Sequence, residues 1–302
     1  MLSNRRLALF VLAFGFAAAA LVRGTQETYA VFLLPISAEF GWQRAEVSSV
    51  YSVAFLTLGL SGPLVGSLFD RFGPLGVYLP GAACAGAGCL LASQAQTLWQ
   101  FYIVLGLLFG FAVASCGYVP MAALLSRWFR RRLNTALAFG HSSHGIGILL
   151  LAPTAQRLID AWGWRHAYLG LAGIVLLLLP PALLLPWRRV TAGHPDYRMA
   201  SPPPRHASAP VRDGAVPGAT AALRMPAFWG IAATFFFTSV GMYAINLQTP
   251  AYLVEIGYTP QQAARAYGLI GLLLPAGMIG FGWLGDRLGR RRAVLISYAG
   301  TL

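Results

Sequence analysis

The sequence predicts an all-α membrane protein, and three observations carry that prediction. Hydrophobic residues make up 57% of the 302 residues and charged residues only 10%, whereas soluble domains carry about 25% charged residues. Apolar runs of about 20 residues, the length that crosses a bilayer, recur along the whole chain. Each run must be helical, because lipid offers no hydrogen-bond partner to an open backbone.

Eight apolar runs are predicted to cross the membrane and are called spans 1 to 8. In chain order they are Leu7–Ile36, Glu46–Phe69, Leu75–Leu91, Leu98–Leu125, Leu133–Ile159, His166–Trp187, Pro226–Val254 and Gln261–Leu284. The first six form a predicted N-terminal six-helix bundle over residues 1–187. Residues 225–302 begin a second, incomplete bundle, since another apolar run starts at Ala293 and is expected to continue as a ninth span.

The segment 188–224 is predicted to be a cytoplasmic linker. It is rich in proline, arginine, alanine and serine and has too few bulky apolar residues to build a core.

Arginine placement predicts the orientation of the spans. All 22 basic residues are arginine, and seventeen of them lie in the N-terminus, the linker and the loops after spans 2, 4 and 8. These segments share one side of the membrane, which the positive-inside rule assigns to the cytoplasm together with the N-terminus. Despite a net charge of +13, nucleic acid is not an expected partner, because the arginines are scattered between apolar runs.

The sequence repeats itself without a gap at an offset of 216 residues. The matched pairs are Glu39–Trp42 with Glu255–Tyr258, Tyr51 with Tyr267, and Gly66–Gly73 with Gly282–Gly289. Six spans separate the two copies, so both cross the membrane in the same direction. Such parallel repeats are typical of the two halves of a secondary transporter.

The repeated motif Gly-x-Leu-x-Asp-Arg-x-Gly resembles the signature loop of the major facilitator superfamily. The chain is more narrowly similar to a bacterial, monocarboxylate-transporter-like branch, through Tyr29–Phe32, Glu39–Ala45, Asp70–Pro74, Trp128–Arg132 and Gly163–Arg165. The resemblance implies a major-facilitator-type fold of twelve helices in two bundles, with a substrate cavity between them. It also implies a multi-pass protein of the bacterial inner membrane, and that the 302 residues alone do not transport.

The two motif copies are candidates for gating. Small residues at Gly66 and Gly282 are expected to allow close helix approach, and the aspartates at helix ends to pair with arginine or cap a helix. The alternative is that Asp-Arg only stops each helix and sets topology. The candidate gating residues are Gly66, Asp70, Arg71, Gly73, Gly282, Asp286, Arg287, Gly289, Arg290 and Arg291.

Arg23 and Glu27 are the first candidates for substrate binding or coupling. They lie four residues apart in span 1 and therefore share a helix face, and ionisable groups at membrane depth are costly and often functional. In one interpretation they form a structural ion pair. In the other, Glu27 exchanges a proton while Arg23 binds an anionic solute.

Further candidates are polar residues in spans 4, 5 and 7, for which interhelical packing is the alternative role. His141 and His144 are three apart and share a face, where they are suited to bind a carboxylate or to titrate near neutral pH. Tyr243 is the repeat mate of Glu27. The set is Tyr118, His141, His144, Tyr243, Asn246 and Gln248.

These features favour a secondary active transporter of a small, anionic organic solute, working by alternating access. The partners are the lipid bilayer and that solute, with a proton as one coupling ion to consider; no cofactor and no metal is expected. The monocarboxylate carriers' helix 1 lysine corresponds to Glu27, and their helix 8 Asp and Arg to Leu274 and Met278. Their proton mechanism therefore does not transfer directly.

The alternatives are a drug or metabolite efflux antiporter, disfavoured because span 5 lacks a Gly-Pro-Gly-Gly type stretch, and a non-transporting fragment. An enzyme is not expected, since no catalytic constellation is present and no phosphate-binding loop that would point to ATP. A receptor would need a soluble output domain, which the linker is too short to provide.

Overall fold

The computed structural model describes residues 4–129, 133–193, 225–288 and 296. Within these ranges the chain forms helices and turns without any β-strand, which confirms the all-α prediction. The helices are α1 Asn4–Glu27, α2 Tyr29–Phe40, α3 Arg44–Phe72, α4 Leu75–Ala92, α5 Leu98–Phe101, α6 Phe109–Cys116, α7 Tyr118–Ser126, α8 Leu133–Leu176, α9 Leu179–Leu184, α10 Trp187–Ala192, α11 Pro226–Glu255 and α12 Pro260–Leu288.

Span 1 consists of two helices rather than the single helix that was predicted. α1 ends at Glu27 and α2 begins at Tyr29. The interruption, at Thr28, lies at the end of a run of four buried polar residues, Thr25–Thr28. The Thr28 hydroxyl donates to the Thr25 carbonyl at 2.7 Å, an example of a side chain competing for backbone groups that would otherwise continue a helix.

Span 4 is also interrupted where one helix was predicted. A π-helical turn at Tyr102–Leu108 joins α5 to α6, and the chain leaves helical geometry again at Gly117 between α6 and α7. A side chain is excluded at Gly117, because a Cβ built there would lie 2.6 Å from the Val113 carbonyl oxygen. The interruptions bend span 4 as π-turns and non-helical residues commonly do.

Spans 5 and 6 meet at a single residue inside α8. Gly163 has φ 79°, a left-handed conformation that glycine adopts at little cost. The chain reverses there, since a Cβ built on Gly170 would lie 2.9 Å from Leu158. A straight helix would separate these residues by about 18 Å. The predicted loop between Ile159 and His166 is therefore not formed.

The described residues contain six helices long and apolar enough to cross a membrane, which confirms a multi-pass membrane protein. They are Leu7–Phe40, Arg44–Phe72, Leu75–Ala92, Leu98–Ser126, Ala136–Leu184 and Phe228–Glu255, of which the fifth contains both predicted spans 5 and 6. The helix α12, which corresponds to span 8, is 29 residues long, more than the about 20 residues that a crossing requires.

The N-terminal spans pack into one core, and α10 belongs to it. The Trp128 indole donates to the Val190 carbonyl at 2.9 Å, Arg127 donates to the Thr191 carbonyl at 3.1 Å, and Val190 is fully buried. Residues 188–192, predicted as linker, are thus helical and docked. Residues 4–193 are called the N-half, and residues 225–288 the C-half.

The two halves touch at one end, called the closed end, which carries the connections after spans 1 and 7. Gln248 donates to Ser48 at 3.1 Å, and Arg44 forms an ion pair with Glu255. Deeper in the membrane, α8 and α12 cross at Gly145 and Gly271, with so little space that a Cβ on either glycine would lie 2.1 Å from the other's carbonyl oxygen.

Candidate functional site

Glu27 lies at the centre of a buried polar cluster at the junction of the halves. Its side chain is only 3% exposed. One carboxylate oxygen, Oε2, accepts a hydrogen bond from the Tyr51 hydroxyl at 2.6 Å. The other, Oε1, lies 3.1 Å from Arg23 Nη2 and 3.3 Å from His144 Nε2. The predicted pairing of Arg23 with Glu27 is therefore present, and His144 joins it from α8.

Arg23 links this pair to the C-half. Its guanidinium donates to the Gln26 side-chain carbonyl at 3.0 Å and to the Tyr243 hydroxyl in α11 at 3.2 Å. It also lies 4.8 Å above the Phe55 ring, in the geometry of a cation–π contact. The repeat mate of Glu27, Tyr243, thus contacts the residue that neutralises Glu27.

A second tyrosine approaches the same carboxylate from the C-half. The Tyr267 hydroxyl lies 3.5 Å from Glu27 Oε2 and 3.4 Å from the Glu27 carbonyl oxygen. Tyr51 and Tyr267 are the pair that the 216-residue offset relates. The repeat matched these two tyrosines in the sequence, but they were not among the predicted site residues. The available signal was the repeat itself, which relates the two tyrosines that face the buried acid.

The charges in the cluster balance. The Arg23 guanidinium compensates the Glu27 carboxylate, so the buried pair is neutral when both are ionised. Removing one partner of a buried pair typically costs about 3–5 kcal/mol, because the other charge is left uncompensated. Anything that neutralises Glu27 therefore leaves Arg23 in need of another anion.

Two cavities meet at Arg23 and Tyr243. One, of about 830 Å³, runs along α3 and α11 and is also lined by Tyr51, Phe55 and Gln248. The second has a volume of about 340 Å³. Arg23 lines both cavities, so its guanidinium is placed to pair with an anionic solute in either one.

The second cavity gathers the polar residues predicted in spans 4 and 5. Tyr118, His141 and His144 line it together with Arg23 and Tyr243. The rings of Tyr118 and His141 pack against each other with centroids 3.9 Å apart and planes tilted by 31°.

A smaller cavity lies directly beside the carboxylate. It has a volume of about 110 Å³, and Glu27, His144, Asn246 and Tyr267 are among its lining residues. All eight predicted substrate or coupling residues therefore line one of three neighbouring cavities.

The first copy of the gating motif lies within the described residues. A Cβ built on Gly66 meets no described atom within 4 Å, and the close helix approach expected there stays a prediction. Asp70 forms no ion pair with any side chain that the structure describes, and Arg71 lies over the Phe72 ring at 5.2 Å. Gly73 ends α3 with φ 73°.

The second copy is described only in part. Gly282, Asp286 and Arg287 lie in α12, but their side chains fall outside the described part, as do Gly289, Arg290 and Arg291 altogether. Among the side chains that are described, no three His, Cys, Asp or Glu residues come together as a metal site.

A model of the Major Facilitator Superfamily matches residues 8–302. The chain belongs to the Major Facilitator Superfamily. Its expected resemblance to this superfamily and to its fold is thereby confirmed.

Curated relatives within the superfamily are monocarboxylate transporters. The chain is 29% identical over 273 residues to monocarboxylate transporter 13 of Bos taurus, covering 90% of this chain and 60% of the relative. It is 27% identical over 286 residues to monocarboxylate transporter 12 of Homo sapiens, covering 88% of this chain and 54% of the relative. The chain thus spans a little over half the length of these relatives.

Solved superfamily structures share the fold. A D-xylose-proton symporter aligns with a TM-score of 0.62 at 12% identity, over 92% of this chain and 69% of the symporter. The inward-open xylose transporter XylE from E. coli aligns with a TM-score of 0.56 at 12% identity, over 93% of this chain and 70% of that structure.

Proposed function

We propose that the protein is a secondary active transporter that moves a small organic anion, such as a monocarboxylate, together with a proton. The observation that carries the proposal is the buried Arg23–Glu27 pair, 3.1 Å apart, in the cavity walls where the two halves meet. The names of the curated relatives support the substrate class. The name of the D-xylose-proton symporter is compatible with proton coupling.

The coupling follows from charge balance at Arg23. With Glu27 ionised, the charge of Arg23 is already compensated. A second carboxylate would then add an unpaired charge, which is energetically costly in a buried site within the membrane. A proton on Glu27 removes its charge and leaves the guanidinium able to form a bidentate pair with a solute carboxylate. One proton and one anion thus enter together, and the site remains neutral.

The surrounding residues would orient the solute. Tyr243 already contacts Arg23, so its hydroxyl is placed to bond a carboxylate that sits there. Tyr118, His141, His144, Asn246 and Gln248 supply further donors and acceptors around the cavities. Two charge-bearing motif copies, around Asp70 and Asp286, would gate the side opposite the closed end.

The proposal includes a bacterial inner-membrane location with a cytoplasmic N-terminus, because arginine is concentrated on that side. The closed end then faces outward. It also includes the division into a six-helix bundle, a cytoplasmic linker and a second bundle.

The test is uptake of radiolabelled monocarboxylates into liposomes under an imposed proton gradient. Because the chain spans 60% of its bovine relative, the assay uses a form with a complete second bundle. Uptake should be saturable and should rise with external acidity. Glu27→Gln should remove the pH dependence while expression stays near normal.

The matched control is Glu39→Gln, which neutralises the carboxylate of α2 that pairs with Arg165 outside the cluster. Its uptake should remain pH dependent. A purely structural pair would instead show lost expression in Arg23→Ala and recovery in the Arg23→Ala/Glu27→Ala double variant, and that result would reject the coupling role.

A further inference from the structure

We infer that Tyr267 is the positioning residue through which the C-half responds to the proton on Glu27, so that ionised Glu27 keeps the closed end shut and protonated Glu27 releases it. The inference rests on the proposed function only for its link to transport. Its physical basis is the placement of one buried carboxylate between tyrosines from both halves.

The two tyrosines differ in what their hydroxyls connect. Tyr51 belongs to α3, in the same half as Glu27, and its bond at 2.6 Å joins elements that stay together. Tyr267 belongs to α12, and its hydroxyl lies within 3.5 Å of both a carboxylate and a carbonyl oxygen of Glu27. Of these two tyrosine contacts, only that of Tyr267 crosses from one half to the other.

Groups from every neighbouring helix face the carboxylate, and their charges set the sign of the effect. Arg23 on α1 and His144 on α8 approach Oε1, whereas Tyr51 and Tyr267 approach Oε2. Tyr243 on α11 reaches the cluster through Arg23. Protonating His144 would strengthen its pairing with ionised Glu27 inside the N-half, so it cannot by itself open the contact to α12.

Protonation of Glu27 weakens both links between this cluster and the C-half. Hydrogen bonds to a charged acceptor are stronger than those to a neutral one, so the Tyr267 hydroxyl loses the charged one of its two acceptors, at 3.5 Å, and keeps the Glu27 carbonyl oxygen, at 3.4 Å. Arg23 simultaneously loses the counter-ion that helps to hold its guanidinium beside Tyr243. Of the remaining contacts at this end, Gln248 with Ser48 involves no titrating group, whereas the exposed Arg44–Glu255 ion pair contains a second carboxylate that responds to acid.

The experiment measures distances across the closed end by pulsed electron spin resonance, on the 302-residue chain in lipid nanodiscs without any solute. Spin labels are attached at Gln96→Cys in the N-half and Tyr258→Cys in the C-half, both at exposed positions. The native cysteines Cys84, Cys89 and Cys116 are replaced by alanine. Acidification should enlarge the long-distance population in the parent protein.

Tyr267→Phe should raise the long-distance population at alkaline pH, changing the ratio of the two populations by roughly threefold to tenfold for one hydrogen bond. Its repeat mate is the matched control: Tyr51→Phe removes a hydroxyl from the same carboxylate but should leave the distance unchanged. Glu27→Gln should greatly reduce the pH dependence of the distribution, leaving only the part that comes from the Arg44–Glu255 pair. Gln248→Leu should favour separation yet keep the pH response.

Equal shifts in Tyr51→Phe and Tyr267→Phe would overturn the inference, as would an undiminished pH response in Glu27→Gln. Gln248→Leu distinguishes release of the closed end from loss of folding, because it removes a contact at the same end and leaves the Glu27 cluster unchanged. Because no transport is measured, a failed uptake assay rejects the proposed function and leaves this result standing, and the reverse also holds.

Discussion

Gly271→Ala is expected to prevent full closure of the two halves. A Cβ at position 271 would lie 2.1 Å from the carbonyl oxygen of Gly145 and 3.1 Å from the backbone nitrogen of Leu149. Ordinary contacts of this kind begin at 3.4 Å, and backbone atoms cannot rotate away as a side chain can. The helices α8 and α12 must therefore move apart by more than 1 Å.

The size of the effect follows from where the strain acts. Overpacking typically costs about 1–3 kcal/mol. Here it destabilises only the closed state, in which α8 and α12 touch. The gain in helix propensity from glycine to alanine, about 1 kcal/mol, is present whether the halves touch or not. The ratio of closed to open molecules should therefore fall by roughly five- to a hundredfold.

The assay is the distance between labels at Gln96 and Tyr258, and the chain supplies its own control. Gly277 lies in the same helix, but a Cβ there meets no described atom within 4 Å, so Gly277→Ala should leave the distribution unchanged. Gly147→Ala makes a similar clash with Ala20 inside the N-half and should lower thermal stability instead. A closed distribution for Gly271→Ala, with stability like that of Gly277→Ala, would refute the reasoning.

Three further outcomes are expected. Cysteines at Gln96 and Tyr258 should react with impermeant reagents added outside intact cells, whereas reaction only after permeabilisation would reverse the proposed orientation. Gly73→Ala should lower the unfolding temperature, since φ 73° strains other residues by about 1–3 kcal/mol; an unchanged temperature would show that the turn relaxes freely. Arg44→Ala should change the label distances only slightly, because solvent screens exposed ion pairs such as Arg44–Glu255; an effect as large as that of Gly271→Ala would contradict this.

The spans were predictable from the sequence because lipid imposes a length and an apolar composition on any helix that crosses it. Their interruptions were harder to predict. The break at Thr28 follows local hydrogen bonding by Thr25–Thr28, and the reversal at Gly163 depends on one backbone conformation. Neither changes the hydropathy of the run in which it lies.

The candidate site was predictable to the extent that charge is rare in a membrane. Arg23 and Glu27 stood out for that reason and do form a pair. Tyr51 and Tyr267 did not, since tyrosine is common and only the folded chain brings both hydroxyls to one carboxylate. The packing role expected at Gly66 stays a prediction, because it depends on a partner helix and no described atom lies within 4 Å of a Cβ built there.

The one-residue connection at Gly163 makes a short, constrained junction between spans 5 and 6 of the N-half. A flexible loop would let spans 5 and 6 slide past each other, but a connection of one glycine is too short to accommodate such a displacement. We therefore expect deformation of the N-half at the interruptions of its helices, which are Thr28 in span 1 and the π-turn and Gly117 in span 4. Thr28 directly follows Glu27, so one of these interruptions adjoins the residue that carries the charge.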